Sequence, residues 1–275
     1  MTVLSVDPSV PIRECFDHPQ FFRVPGHPAL MFYCYVPSSL NTARTPLVLV
    51  HGISRNSIEL VCRFKSAARE HGVPLIAPHF PAASYGMYQQ LHDQRRQVQA
   101  DQALLRMLEI VSKTFDFDSS RFDLFGFSGG AQFAHRLAYL FPDRVRSCVP
   151  VSAGWYTMPE AATAWPYGLN SPPSGTIDAE SVRKVPFHVI VGRRDTLSDA
   201  SLRRSRTLDR QQGKNRVTRA RNWFEAMQSW QANPTNSLTI LPKTNHSFGG
   251  ACQHGLVPLT FKLLGYPAEG SGENS

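Results

Sequence analysis

Three residue types that together can activate a hydroxyl occur in this chain at suggestive places. Ser128 stands in Gly126-Phe127-Ser128-Gly129-Gly130, between the apolar run 122–127 and a helical pattern from Gly130 to Phe141. A serine with glycine two residues before and two after it, at a strand-to-helix turn, can sit on a tight elbow that lifts its hydroxyl clear of a sheet. A Cβ at either glycine would collide with the neighbouring strand or helix. The hydroxyl is a poor nucleophile near neutral pH, so the chemistry also needs a base within hydrogen-bond reach and a third group to hold that base.

His246 is the expected general base. It lies in Thr244-Asn245-His246-Ser247-Phe248, shortly after the apolar run 237–242, whereas His135 falls inside the helical pattern after the elbow and His254 at the start of the last one. Asp195 is the expected acid, just past the run Pro186-Phe187-His188-Val189-Ile190-Val191-Gly192, with Asp199 as the alternative four residues on. A developing oxyanion needs two N–H donors. One is expected from Gly129, at the start of the helix, and the other from Ile53 in His51-Gly52-Ile53-Ser54, where Gly52 lets the backbone turn; Ser54 is the alternative donor. His51 is expected to hold that loop by packing and hydrogen bonding.

These residues need a scaffold. The short apolar runs 46–51, 73–78, 122–127, 146–152, 186–192 and 237–242 lack polar alternation, as strands buried on both faces do, and that is the mark of a mainly parallel sheet. Helical patterns lie between or beside them at Ser57–His71, Gln97–Phe115, Gly130–Phe141, Arg216–Gln231 and Leu256–Leu264. In the second of these, Leu104, Leu108, Val111 and Phe115 form an apolar stripe with Met107 beside it. The β-rich runs Phe21–Val24 and Ala29–Val36, separated by Pro25-Gly26-His27-Pro28, predict an antiparallel hairpin at a sheet edge. The whole is an α/β chain: a doubly wound sheet, mostly parallel, with helices on both faces and its ligands at the carboxyl ends of the strands.

The His-Gly pair after an early strand, Gly-Phe-Ser-Gly-Gly at an elbow, the aspartate after Val-Ile-Val-Gly and the late Asn-His-Ser-Phe resemble the α/β-hydrolase superfamily over about residues 46–264. The layout is similar to the poly(3-hydroxyalkanoate) depolymerase-like and feruloyl-esterase-like branch. The resemblance implies an α/β-hydrolase fold and hydrolysis of a carboxylic ester through an acyl-enzyme on Ser128, with His246 and Asp195 completing a triad. It implies no metal and no organic cofactor. A peptidase, a thioesterase or a carbon–carbon bond hydrolase would use the same residues, and a hydrolase-fold binding protein is the alternative without catalysis.

The segment 153–185 is longer than an ordinary connection and rich in aromatics and proline, so it is expected to form a short lid or pocket wall. Trp155 and Phe127 are expected to line an apolar acyl or aromatic pocket. One domain is expected over 1–267, with a flexible tail at 268–275 (AEGSGENS).

Composition bounds the rest. The 275 residues are 42% hydrophobic and 18% charged, and no run approaches the roughly 18 apolar residues of a membrane span. No signal peptide is read in residues 1–22, which makes a cytoplasmic location the expectation. Cys15, Cys34, Cys62, Cys148 and Cys252 have no C-x-x-C spacing and predict neither disulfides nor a zinc site, with Cys34 and Cys148 as buried small hydrophobes. The net charge is +8, and ten basic residues from Arg193 to Arg221 face only Asp195, Asp199 and Asp209. Without interleaved aromatics this segment predicts a solvated, partly helical surface and no nucleic-acid partner. The expected partner is a small-molecule ester.

Overall fold

The structure, a computed structural model, describes residues 3–4, 18–26, 28–198 and 200–266. Asp199, Cys15 and the 268–275 tail lie outside the described residues. In chain order the strands are β1 Val3–Leu4, β2 Gln20–Val24, β3 Leu30–Tyr35, β4 Leu47–Val50, β5 Leu75–Pro78, β6 His92–Asp93, β7 Val98–Gln99, β8 Phe122–Phe127, β9 Val145–Val151, β10 His188–Gly192 and β11 Ser237–Leu241. The α-helices are α1 Ser57–His71, α2 Ala100–Phe115, α3 Gly129–Leu140, α4 Ala179–Arg183, α5 Arg206–Gln211, α6 Arg216–Gln231, α7 Phe248–Gln253 and α8 Leu256–Leu263.

Nine strands make one sheet in the order β1-β2-β3-β5-β4-β8-β9-β10-β11, parallel from β5 through to β11. The expected hairpin forms between β2 and β3, with Phe21 opposite Tyr33. It lies one strand in from the edge, because β1 pairs with β2 in parallel.

The continuous apolar runs divide their side chains between two cores. On β4, Val48 and Val50 join the core that contains Leu104, Phe133 and Trp223 from α2, α3 and α6. Leu47 and Leu49 join the opposite core, with Phe64 of α1 and Phe261 of α8. A strand with helices on both faces has no side that water rewards with a polar residue, so its period of two disappears from the sequence while remaining in the structure. None of the described helices is long and apolar enough to cross a membrane.

Two stretches differ from expectation. Helix α2 begins at Ala100, since Val98–Gln99 pairs with His92–Asp93 in a two-stranded ribbon and Gln97 takes a positive φ of 53°. That ribbon is made by backbone pairing, which leaves no mark in the spacing of the side chains. The basic segment is only partly a surface: Arg216 and Arg219 have fully buried side chains, paired with Asp195 and Asp209 respectively.

The strand order also locates the crevice. From β4 the chain moves outward to β5 on one side and later returns to β8 on the other, so the winding reverses between β4 and β8. Loops leaving these two neighbours part at their carboxyl ends and leave a gap there. Ser128 follows β8, and His51–Ser54 follows β4.

Candidate active site

Ser128 is the N-cap of α3, with φ 56° and ψ −111°, a conformation that L-residues seldom adopt and that surrounding packing must enforce. The glycines on either side make room for it. A Cβ on Gly126 would strike the Gly130 carbonyl, and one on Gly130 would strike the Val50 carbonyl of the adjacent strand. The turn is held from the far side by the Ser128 N–H, which donates to Val151 O at 2.8 Å.

His246 and Asp195 are brought together by the loops after β10 and β11. The Arg193 N–H donates to Leu241 O and the Arg194 N–H to Thr244 O, both at 2.8 Å, so the two loops run as one layer. Gly192 is needed at that seam because a Cβ there would meet the Thr244 carbonyl. His246 Nε2 lies 3.0 Å from Ser128 Oγ, and Nδ1 lies 2.8 Å from Asp195 Oδ2. An ionised carboxylate accepts only, so Nδ1 carries the proton and Nε2 is left to accept from the serine hydroxyl. Phe127 stacks on the imidazole, with centroids 5.3 Å apart and planes at 25°, which fixes the plane of the ring.

Asp195 is 1% exposed and shares its other oxygen with Arg216, whose Nη1 donates to Oδ1 at 3.3 Å. Arg216 is the first residue of α6, which Asn215 caps by accepting the Thr218 N–H at 2.9 Å. Sequence reading missed Arg216. Nothing in a spacing of 21 residues ties it to Asp195, although Asn215 was legible as a cap that would place Arg216 at a helix start.

The His51–Ser54 loop lies against the elbow. A Cβ built on Gly129 would be 3.5 Å from the Ile53 amide nitrogen and 2.7 Å from the Tyr88 hydroxyl, so glycine lets these groups close on the turn. The Gly129 N–H is among the first in α3, which have no intrahelical acceptor, and the Ile53 N–H makes no backbone hydrogen bond among the described residues. His51 holds the loop from beneath. Its Nδ1–H donates to Gly52 O at 2.8 Å, and Nε2 accepts the Phe80 N–H at 3.1 Å. Burial pulls this imidazole down to about 3, so it is neutral at pH 7. Tyr88, another residue that the sequence did not single out, donates its hydroxyl to His51 O at 2.8 Å.

A cleft of about 400 Å³ opens over Ser128 and His246, with Ile53, Ser54, Phe127 and Phe248 in its walls. Ile53 is 53% exposed, an apolar side chain held in water beside the serine. Phe127 thus lies where a pocket residue was expected. Trp155 does not: it is 3% exposed, stacks on Tyr167 at 5.0 Å, carries the Arg136 guanidinium 4.0 Å from its ring centroid, and is absent from the walls of the cleft. The segment that follows β9 turns inward at once, so residues 153–157 become core, with Tyr156 stacked on Trp223 at 4.7 Å. Position beyond a strand end identified the neighbourhood of Trp155 but not its direction.

No protein-family model matches the chain, and a search of curated proteins finds no match. Solved structures do match. Poly(aspartic acid) hydrolase-1 from Sphingomonas sp. KT-1 is 25% identical with a TM-score of 0.74, over 87% of this chain and 98% of that one. LpqC, a poly(3-hydroxybutyrate) depolymerase from Bordetella parapertussis, is 23% identical with a TM-score of 0.71, over 85% and 84%. An S-formylglutathione hydrolase from Agrobacterium tumefaciens is 18% identical with a TM-score of 0.58, over 86% and 90%. Strand order, elbow and these likenesses agree that the chain has the α/β-hydrolase fold.

Proposed function

We propose that this protein is a serine hydrolase that cleaves carboxylic esters through an acyl-enzyme, with Ser128 as nucleophile, His246 as general base and Asp195 as the residue that orients the base. The carrying observation is the hydrogen-bonded series from Ser128 Oγ to His246 Nε2 at 3.0 Å and from His246 Nδ1 to Asp195 Oδ2 at 2.8 Å, mounted on a positive-φ elbow. Oγ attacks the ester carbonyl as its proton passes to Nε2. The carbonyl oxygen becomes an oxyanion that accepts from the amides of Gly129 and Ile53. The position of the Ile53 nitrogen, 3.5 Å from where a Cβ on Gly129 would stand, favours Ile53 over Ser54 as the second donor. Collapse expels the alcohol, which takes the proton from His246, and water repeats the attack on the acyl-enzyme to release the acid and restore Ser128. The reading is one of ester hydrolysis without a metal or organic cofactor.

The ester assignment draws on the structural neighbours, which include a poly(3-hydroxybutyrate) depolymerase, an S-formylglutathione hydrolase and an acetyl xylan esterase. The poly(aspartic acid) hydrolase favours a second reading, cleavage of an amide by the same residues. Hydrolysis of p-nitrophenyl esters from acetate to dodecanoate, by wild type and Ser128→Ala purified identically, tests the proposal. The wild type is expected to be active and Ser128→Ala to lose about 10⁴-fold or more in kcat/KM. Equal activity in the two proteins would remove Ser128 from the mechanism.

A further inference from the structure

A second cavity, larger at about 700 Å³, has walls that include Met87, Arg95, Arg96, Trp165, Tyr167 and Arg203, the last only two residues from Ser201 in the wall of the Ser128 cleft. Three arginines line it with one carboxylate, that of Asp93, which Arg96 already approaches at 3.9 Å, while His92 turns to Asp101 at 2.9 Å. The wall brings two aromatic rings, Trp165 and Tyr167, together with three arginines. Arg203 lies 5.4 Å from the Trp155 ring centroid and 5.6 Å from that of Tyr167.

Behind this wall sits Arg136, fully buried on α3. A buried charge is normally paired, because taking an ion out of water costs far more than neutral hydrogen bonds return. Arg136 has no carboxylate partner among the described residues. Its Nε donates to Thr157 Oγ1 at 2.9 Å, Nη1 donates to the Gln89 carbonyl, and Nη2 has no partner. Burial and the nearby Arg203 pull the guanidinium down to about 9, which leaves it charged at pH 7. Its contacts lead to the cavity on three sides. Gln89 precedes the lining residue Gln90, Thr157 donates to the lining residue Pro166 at 2.6 Å, and Trp155 stacks on the lining residue Tyr167.

We infer that this cavity is an anion subsite in which Arg203, backed by the buried charge of Arg136 behind the wall, holds a carboxylate carried by the substrate at a distance from its scissile bond. The inference rests on the hydrolase reading above for the scissile bond, but not for the binding of the anion. Arg203 stands two residues from Ser201 of the Ser128 cleft, a span of at most about 7 Å of chain, so a linker of several atoms can join the attacked carbonyl to the anion. The aromatic side of the wall, Trp165 and Tyr167, suits the chain that joins them. An organic acid therefore fits better than a bare inorganic anion.

Two measurements test this. In the first, p-nitrophenyl monoesters of linear dicarboxylic acids from succinate to sebacate are compared with neutral esters of matching acyl length. The wild type should favour the longer acid-bearing esters by at least about tenfold in kcat/KM, and 0.5 M NaCl should reduce that preference. Arg203→Gln, at an exposed position, should lose most of the preference while hydrolysing the neutral esters as before. In the second, Ser128→Ala and the double variant Ser128→Ala/Arg203→Gln are titrated with sebacate, the neutral dimethyl sebacate and inorganic phosphate, read by thermal shift and calorimetry. Sebacate should bind the single variant and raise its Tm, and should bind the double variant at least about tenfold more weakly.

An absent preference, a preference unchanged in Arg203→Gln, or phosphate binding more tightly than sebacate would each overturn the subsite. Binding of sebacate that depends on Arg203, in a protein without esterase activity, would keep the subsite and remove the hydrolase reading. Esterase activity without such binding would do the reverse.

Discussion

Arg216 and Arg136 are both fully buried, and the fold treats them in opposite ways. Arg216 meets the Asp195 carboxylate and the Ser201 hydroxyl, so its charge is answered by protein groups. Arg136 meets an indole face, a carbonyl and a hydroxyl, and its charge is answered by no carboxylate among the described residues. The first arrangement holds Asp195 between two donors and so aims His246 at Ser128. The second stores an unbalanced positive charge beside a cavity. A buried cation with a built-in counterion positions its neighbours, whereas one without it attracts an anion from outside.

Breaking the paired side should have the largest effect. Asp195→Asn keeps the shape of the side chain but removes the charge that favours the Nδ1–H tautomer of His246, so kcat should fall about 10⁴-fold, measured by steady-state hydrolysis at saturating ester. Retention of most of the wild-type rate would pass the role of the acid to another group, Asp199 first.

The two arginines can then be compared directly for stability. Arg216→Met leaves Asp195 buried without its cation and should cost about 3–5 kcal/mol in urea unfolding. Arg136→Met strands no carboxylate and should cost less than half of that. Equal losses would mean that Arg136 is as much a structural ion as Arg216, and the contrast would fail.

The smallest effect comes from His51, a buried group that avoids charge altogether. Its folded pKa is near 3 against 6.5 for the unfolded side chain, because burial disfavours the cation. Between these values the unfolded chain binds the extra proton, so the stability is full above pH 6.5 and is lost as pH falls from about 6.5 towards 3. At pH 5 the loss from this residue is about 2 kcal/mol. Asp123 acts in the opposite direction, since burial lifts its carboxyl to about 6 and acidification relieves the cost of ionising it. The prediction is therefore a difference: between pH 7 and pH 5, the urea-derived stability of His51→Asn should fall less than that of the wild type. Parallel pH profiles for the two proteins would contradict the assignment of a neutral His51.

Much of this was legible in the residues. The elbow could be read because its glycines answer local collisions, with Gly126 against Gly130 and Gly130 against the neighbouring strand. The strands could be read because burial on both faces leaves continuous apolar runs. The loops that carry His246 and Asp195 could be placed because each follows directly from the strand that delivers it. The meeting of Arg216 with Asp195 was not legible, since it depends on how α6 is laid against the end of β10. Nor was the inward turn of Trp155, the burial of Arg136 behind it, or the small ribbon that delays the start of α2.

By itself, then, the sequence determined the order of strands and helices, the strained turn at Ser128 and the residue types placed at the strand ends, because each depends on sterics or burial within a few residues. Tertiary structure alone decided which of the arginines acquired a counterion and which way the aromatics of 153–185 faced. Pairing, desolvation and stacking act between side chains that are distant in the chain, and only packing brings them within reach.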